Sequence, residues 1–360
     1  MLEQLQLYNF RNYSSLELNI ESPVNLFIGA NGQGKTNLLE AIFYLSMLRS
    51  FRTTRLRDLK MLGTDFFRIG AKISKPKGWT ETLEVVCRED QSRKLKIDDS
   101  PVSKASDFFT RIRTVVFAPD DITVVNGQAS SRRRFMDMFI SVLSPGYMTA
   151  LQQYTAALRN RNAVLRTRKD PDLVQAYEPI MARESVFIIN ERRRVANLLS
   201  NEVNKLLGEF DYKNTFSIKY RNNAALSDVK SLMERYEKER GSEIKRGFSR
   251  FGPQLDEYDF MLGDRLLRCY GSTGQCRLIS LCLKMAQVNI LSSSGQDDGS
   301  LVVLVDDVTG ELDMTARDIF FKVINRAEQA FFTFTEYDDK SSIMPEGKLF
   351  AVANGAVMEV

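Results

Sequence analysis

The 360-residue chain contains no histidine. That absence excludes Ser-His-Asp triads, Cys-His pairs and HExxH zinc sites, all of which need an imidazole. Any chemistry falls to carboxylates, lysine, arginine, backbone amides or a metal held by oxygen ligands. Cysteine is scarce as well. Cys87, Cys269, Cys276 and Cys282 are the whole supply, and no two form a CxxC pair. A zinc ribbon is therefore not expected, and the four read as free, buried thiols in a reducing compartment. No apolar run is long enough to span a bilayer, and the opening residues MLEQLQLYNFRNY lack the basic and apolar regions of a signal peptide. No heptad pattern is sustained, and there is no internal repeat or low-complexity tract. These absences point to a cytoplasmic protein with no membrane partner. At 43% apolar and 27% charged residues it is too hydrophobic to be largely disordered.

The hydrophobic pattern changes along the chain. Residues 1–28 alternate as strands do, ending in the short apolar run VNLFI before Gly29. A helix pattern follows from Thr36. Strand-like runs return over residues 65–98 and again at TVVFAP, where Pro119 stops the run. From about Ser131 to Arg246 the period becomes helical, with Asp170-Pro171 marking a turn and TFSIKY a short strand. After Phe251-Gly252-Pro253 strands and helices alternate again. Two α/β segments, 1–120 and 250–360, are thus expected to flank a helical lobe at 121–249. That middle is basic: residues 121–249 carry 22 Lys and Arg against 15 Asp and Glu, while the chain as a whole is only +4. A basic insert in a near-neutral frame suits a polyanion. Arg132, Arg133, Arg134, Arg159, Arg161, Arg166, Arg168, Arg192, Arg193 and Arg194 dominate it. Each has a plainer reading as a helix-surface ion pair, and Arg132–Arg134 as internal packing. With no aromatic-rich strand for base stacking, duplex or junction backbone is the favoured target.

The strongest local signal is Gly29-Ala30-Asn31-Gly32-Gln33-Gly34-Lys35-Thr36, which fits GxxxxGK[ST] without a mismatch. It follows a strand and opens a helix, the context a phosphate-binding P-loop requires. Glycines let backbone N–H groups close on a phosphate, Lys35 neutralises its oxygens, and Thr36 offers a hydroxyl to Mg2+. The second signal is Leu301–Val305, an unbroken apolar run of the kind buried on both faces of a parallel sheet. It ends in Asp306-Asp307. A carboxylate at that strand end can hold Mg2+ through water, and its neighbour can orient the attacking water. About 270 residues separate the two signals, far more than in compact GTPases. A third, YGSTGQCRL, sets a Gly-rich turn at a helix start, a ready anion site.

The order of these pieces resembles the ABC-type ATPase heads of the SMC and RecF group: P-loop, helical insert, Ser272-Thr273-Gly274-Gln275, Asp306-Asp307, then Gly310-Glu311-Leu312-Asp313. The resemblance is greatest to the RecF family. It runs through LYNFRNY, GANGQGKTNLLEAI, SFRT, FAPDDI with RRRFMD, YGSTGQCRL and VDDVTGELD, over residues 7–313. A short insert in place of a long coiled coil favours RecF over SMC. The resemblance implies an α/β fold, a P-loop ABC-type head of mixed sheet plus parallel core carrying an inserted α-helical lobe. It implies ATP binding with slow, DNA-stimulated hydrolysis, an ATP-dependent homodimer, and binding to double-stranded, gapped or junction DNA beside RecR- and RecO-like mediators. Carried across, Gly29, Ala30, Asn31, Gly32, Gln33, Gly34, Lys35 and Thr36 bind ATP. Thr36 and Asp306 hold Mg2+, Lys35 and Asp307 are catalytic, and Ser272, Gly274 and Gln275 form a signature that caps the γ-phosphate of a second subunit.

The chain departs from the family where GPHRDD becomes Gly252-Pro253-Gln254-Leu255-Asp256-Glu257, losing a basic pair, and where Gly310 stands for the serine of SELD. ABC transporters commonly carry a switch histidine after the last core strand. This chain has FFTFTE, so Thr333 or Thr335 is placed to reach the γ-phosphate region, a strand-face role being the alternative. Two other readings stand beside the first: another SMC- or transporter-type ABC ATPase, and a scaffold that uses ATP for assembly without hydrolysing it. A transporter would carry Leu-Ser-Gly-Gly-Gln where this chain has Gly-Ser-Thr-Gly-Gln.

Overall fold

The computed structural model describes residues 1–75, 78–90, 92–102, 105–109, 111–144, 146–167, 170–294, 299–308, 312–335 and 346–360. Arg168, Gly310 and Glu311, singled out above, lie outside the described residues. The chain folds into two units: Met1–Asp121 with Leu283–Val360, and Ile122–Cys282.

The first unit holds two six-stranded sheets. One is built from β1 (Leu2–Phe10), β2 (Tyr13–Asn19), β4 (Phe66–Ser74), β5 (Thr80–Arg88), β6 (Arg93–Ile97) and β7 (Ser100–Pro101), in the order β2-β1-β4-β5-β6-β7, antiparallel throughout. Buried and open positions alternate along β5, as expected of a sheet with one covered face. The other uses β3 (Val24–Ile28), β8 (Ile112–Phe117), β12 (Ser300–Asp306), β13 (Gln329–Phe334), β14 (Lys348–Ala353) and β15 (Ala356–Glu359), in the order β15-β14-β3-β13-β12-β8. It is parallel except for the β15 edge. The apolar runs of β12 and β13 are buried along their length, as a sheet covered on both faces demands.

Helix α1 (Lys35–Met47) lies between the two sheets and is buried on nearly every side. The Tyr44 ring packs edge-on against Phe67 of β4 at 5.7 Å, and Ser46 Oγ bonds Thr114 Oγ1 of β8. Helices α2 (Ser106–Phe109) and α11 (Met314–Ile324) also belong to this unit. Asp313 caps α11 by accepting from the Ala316 amide at 2.8 Å.

The second unit contains α3 (Ile122–Asn126), α4 (Ala129–Leu143), α5 (Tyr147–Thr167), α6 (Pro171–Gln175), α7 (Glu178–Glu209), α8 (Val229–Arg246) and α9 (Leu267–Tyr270). A small antiparallel sheet, β9 (Phe216–Arg221), β10 (Glu257–Leu262) and β11 (Arg265–Leu266), accompanies them. Helix α10 (Thr273–Ser293) carries the chain back to the first unit at Leu283. The composition break at 249/250 is therefore not the structural one. Segment 250–282 stays with the helices because β10 pairs with β9 over Glu257–Leu262. Asp256 and Glu257, which precede or open β10, are also tied by ion pairs to α7 and α4.

Such ion pairs overturn the surface reading of Arg161 and Arg192 and favour the internal-packing alternative for Arg132. Arg132, Arg161 and Arg192 are not surface charges; they are among the largest fully buried side chains. Arg132 meets Glu257 at 2.9 Å, and Arg192 meets Asp137 and Asp256 at 2.9 Å each. Arg161 is held between Glu178 at 2.9 Å and Glu243 at 2.8 Å. Buried charges persist only when paired in this way. Arg133 also turns inward, donating to the Asp256 carbonyl at 2.9 Å, whereas Arg159, Arg166, Arg193 and Arg194 are exposed. Three of the four cysteines are buried, and burial pushes the Cys87, Cys276 and Cys282 thiols up; Cys269 is exposed, against the expectation for it.

Candidate nucleotide-binding site

The segment Gly29–Thr36 joins β3 to α1, so the loop sits at the carboxyl end of a parallel strand and at a helix N-terminus. No side chain caps α1, which leaves its first amides available to an anion. Gly34 shows why glycine is required: its φ is +119°, and a Cβ there would lie 2.7 Å from Asn12 Nδ2 and from the Tyr13 hydroxyl. At Gly32 (φ +82°) nothing lies within 4 Å of that position, so the loop's exposed crest, Ala30-Asn31-Gly32, borders open space. Lys35 Nζ donates to the Gly29 carbonyl at 2.6 Å and the Ala30 carbonyl at 3.0 Å. Burial pulls the Lys35 pKa down, and the carboxylates of Asp307 and Asp306 push it back up.

Two carboxylates meet this loop. Thr36 Oγ1 donates to both oxygens of Asp306, at 2.8 and 3.0 Å, across a sequence separation of 270 residues. The Thr36 hydroxyl and the Asp306 carboxylate are hard oxygen donors, and as a pair they suit Mg2+. Asp307 follows β12 with a φ of +52° and is exposed. Aspartate tolerates that left-handed backbone better than most residues. Thr333 of β13 is buried and donates from Oγ1 to Asp306 Oδ1 at 2.8 Å.

A supporting layer was not legible as functional in the sequence. Asn12 Nδ2 donates to the Gln33 carbonyl at 2.9 Å, and the Tyr13 hydroxyl to the Gly34 carbonyl at 3.1 Å. From the β14–β15 turn, the Asn354 amide donates to Gln33 Oε1 at 2.7 Å. Arg11 grips the buried Glu40 of α1 with two bonds, at 2.7 and 2.8 Å, and Ser50 bonds the same carboxylate. Arg52 Nη1 donates to Asn37 Oδ1 at 2.8 Å. The RNY of LYNFRNY and the SFRT stretch thus brace the loop and its helix. The signal available in the sequence was the resemblance to the RecF family, which runs through LYNFRNY and SFRT.

Ser272, Gly274 and Gln275 belong to the second unit and form an arrangement of their own. The Gln275 amide donates to Ser272 Oγ at 3.2 Å while the Ser272 amide donates to Gln275 Oε1 at 3.0 Å. This reciprocal pair is a capping box for α10. Tyr212 holds the Gln275 side chain, accepting from Nε2 at 3.0 Å. Gly274 has nothing closer than Ser272 Oγ, 4.0 Å from where its Cβ would be. A cleft of about 390 Å³, lined by residues including Asn214, Arg265, Tyr270 and Gln275, borders the turn.

The family model for the RecF/RecN/SMC N terminal domain matches residues 1–337. The "DNA replication and repair protein RecF" of Ruminiclostridium cellulolyticum is 31% identical over 371 residues, covering 99% of each chain. The protein so named in Ligilactobacillus salivarius is 31% identical over 375 residues, covering 99% of this chain and 97% of the relative. The chain belongs to the RecF family. A solved structure of "the recombination mediator protein RecF-ATPrS in RecFOR pathway" superposes with a TM-score of 0.89 at 28% identity, covering 100% of this chain and 98% of that one. An Smc head bound to the C-winged helix domain of ScpA shares the fold, with a TM-score of 0.55 at 13% identity. Against the usual RecF pattern, Gln254 accepts from the Tyr154 hydroxyl and Leu255 is exposed. The retained acids, Asp256 and Glu257, are the partners of Arg192 and Arg132. The lost basic pair therefore leaves the internal network complete at its acidic end.

Proposed function

We propose that this chain is an ATP-dependent DNA-binding protein of recombinational repair and replication-fork maintenance, acting in the cytoplasm. The observation that carries the reading is the Thr36–Asp306 hydrogen bond, which joins the P-loop to the end of β12. In this reading the loop amides and Lys35 take the β- and γ-phosphates of ATP. Thr36 and Asp306 hold Mg2+, which when bound neutralises developing charge on the phosphates. Asp307 accepts from the attacking water and orients it. The RecF relatives solved as RecF-ATP and RecF-ATPrS support ATP as the nucleotide.

The signature turn completes the reading. Ser272 is pinned by its capping box, Gly274 is open, and the positive end of α10 lies behind them. This half-site takes the γ-phosphate of ATP held by a second copy, so ATP drives a homodimer. The dimer clamps double-stranded or gapped DNA, works beside RecR- and RecO-like mediators to load recombinase, and is reset by slow hydrolysis. The test is sizing with ATP, with ADP and without nucleotide, with and without gapped DNA. Lys35→Met is expected to stay monomeric and to lose ATP-dependent DNA binding. A Lys35→Met protein that dimerised and held DNA like the wild type would remove the ATP clamp.

A further inference from the structure

Thr333 is a buried hydroxyl on a strand that otherwise has no use for one. β13 is buried along its length, and the residues around Thr333 are Ala330, Phe331, Phe332 and Phe334. A hydroxyl in such surroundings costs stability unless it is bonded, and valine has the same shape without the penalty. The register of the parallel sheet makes Thr333 the direct cross-strand partner of Asp306. Its Oγ1 donates to Asp306 Oδ1 at 2.8 Å, and Thr36 Oγ1 donates to both oxygens of the same carboxylate.

The final torsion of an aspartate is soft, so one donor does not set the rotation of the carboxylate. Two donors, one from β13 and one from the first turn of α1, do. We propose that Thr333 is a positioning residue: it holds the Asp306 carboxylate in the rotation that receives Thr36 and serves a divalent cation at the phosphate site. This rests on the reading of the P-loop as an Mg2+–ATP site. Thr333 itself touches neither nucleotide nor metal. It acts through Asp306, as outer-shell partners of metal sites do, where loss of the partner weakens metal affinity by roughly 10- to 100-fold.

The experiment uses the full chain as wild type, Thr333→Val and Thr333→Ser. Mn2+ replaces Mg2+, and its binding in the presence of ATP is followed by the loss of the free-ion EPR signal. ATP affinity is measured separately in excess EDTA, and thermal melting reports folding. In Thr333→Val the Mn2+ half-saturation is expected to rise by about 10-fold or more, with metal-free ATP affinity unchanged. Thr333→Ser restores the wild-type value because it restores the donor. If the valine variant does not fold, Thr333→Ala against Thr333→Ser makes the same comparison at smaller volume. The proposal is overturned by donor-free variants that bind Mn2+ like the wild type, or that lose metal-free ATP affinity in step with metal. A wild type with no metal-dependent ATP binding overturns the Mg2+–ATP reading itself, and this proposal with it.

Discussion

Arg161 carries no exposed surface and serves two carboxylates, Glu178 and Glu243, that are themselves fully buried. Arg240 reaches Glu178 from the other side at 2.7 Å, so the four charges balance. Removing one member of such a group strands the others in low dielectric. Arg161→Met is therefore expected to destabilise the protein by about 3–5 kcal/mol, a large share of a typical folding free energy. Chemical denaturation measures this, and a loss below about 1 kcal/mol, the scale of a surface pair, would show that the buried geometry is wrong. Asp307, by contrast, is an exposed carboxylate. Asp307→Asn should leave the melting temperature and ATP binding intact while lowering turnover by about 100-fold or more, as loss of a positioned general base does. An unchanged rate in a single-turnover assay would leave Asp307 without its role.

At the scale of elements, the proposed reading sets the N-termini of both α1 and α10 against phosphate, and the two are built differently. The first turn of α1 is uncapped and wrapped by the P-loop. That of α10 is closed by the Ser272–Gln275 box. Ser272→Arg fills the open side of the turn with a long side chain. The variant is expected to bind ATP as a monomer but to show no ATP-driven dimer in light scattering; dimers that persist would reduce the turn to a helix start. The loss of the cap itself costs about 1 kcal/mol and is controlled by Ser272→Ala.

For the whole molecule, charge divides into two populations that composition cannot separate. Arg159, Arg166 and Arg193 face solvent, while Arg132, Arg161 and Arg192 hold the second unit together from within. Replacing the exposed three by alanine is expected to weaken DNA binding across all sequences. It should also flatten the salt dependence by close to one unit in slope for each phosphate no longer neutralised. Thermal stability should stay within surface-substitution range. A fluorescence anisotropy titration at several salt concentrations measures the slope, and an unchanged slope would place the DNA elsewhere.

The P-loop, the β12 strand with its terminal aspartates and the helix start at Ser272 were readable because each is a local pattern. Backbone conformation over eight residues, or burial along one strand, follows from the residues in that window. Four things depended on pairing between residues far apart in the chain. The boundary moved from 249/250 to 282/283 because β10 finds β9. The arginines turned inward because Glu257, Glu243, Asp256 and Asp137 meet them there. Asn12, Tyr13 and Asn354 became supports of Gln33 and Gly34 because the β1–β2 and β14–β15 turns close on the loop. Thr333 became a partner of Asp306 because parallel register sets them side by side. Sequence alone determined that Gly29–Thr36 lies between a strand and a helix and that an apolar strand ends in Asp306-Asp307, since both follow from local backbone and side-chain chemistry. Tertiary structure alone decided which charges are buried and which hydroxyl meets which carboxylate, since pairing across tens to hundreds of residues has no local signature.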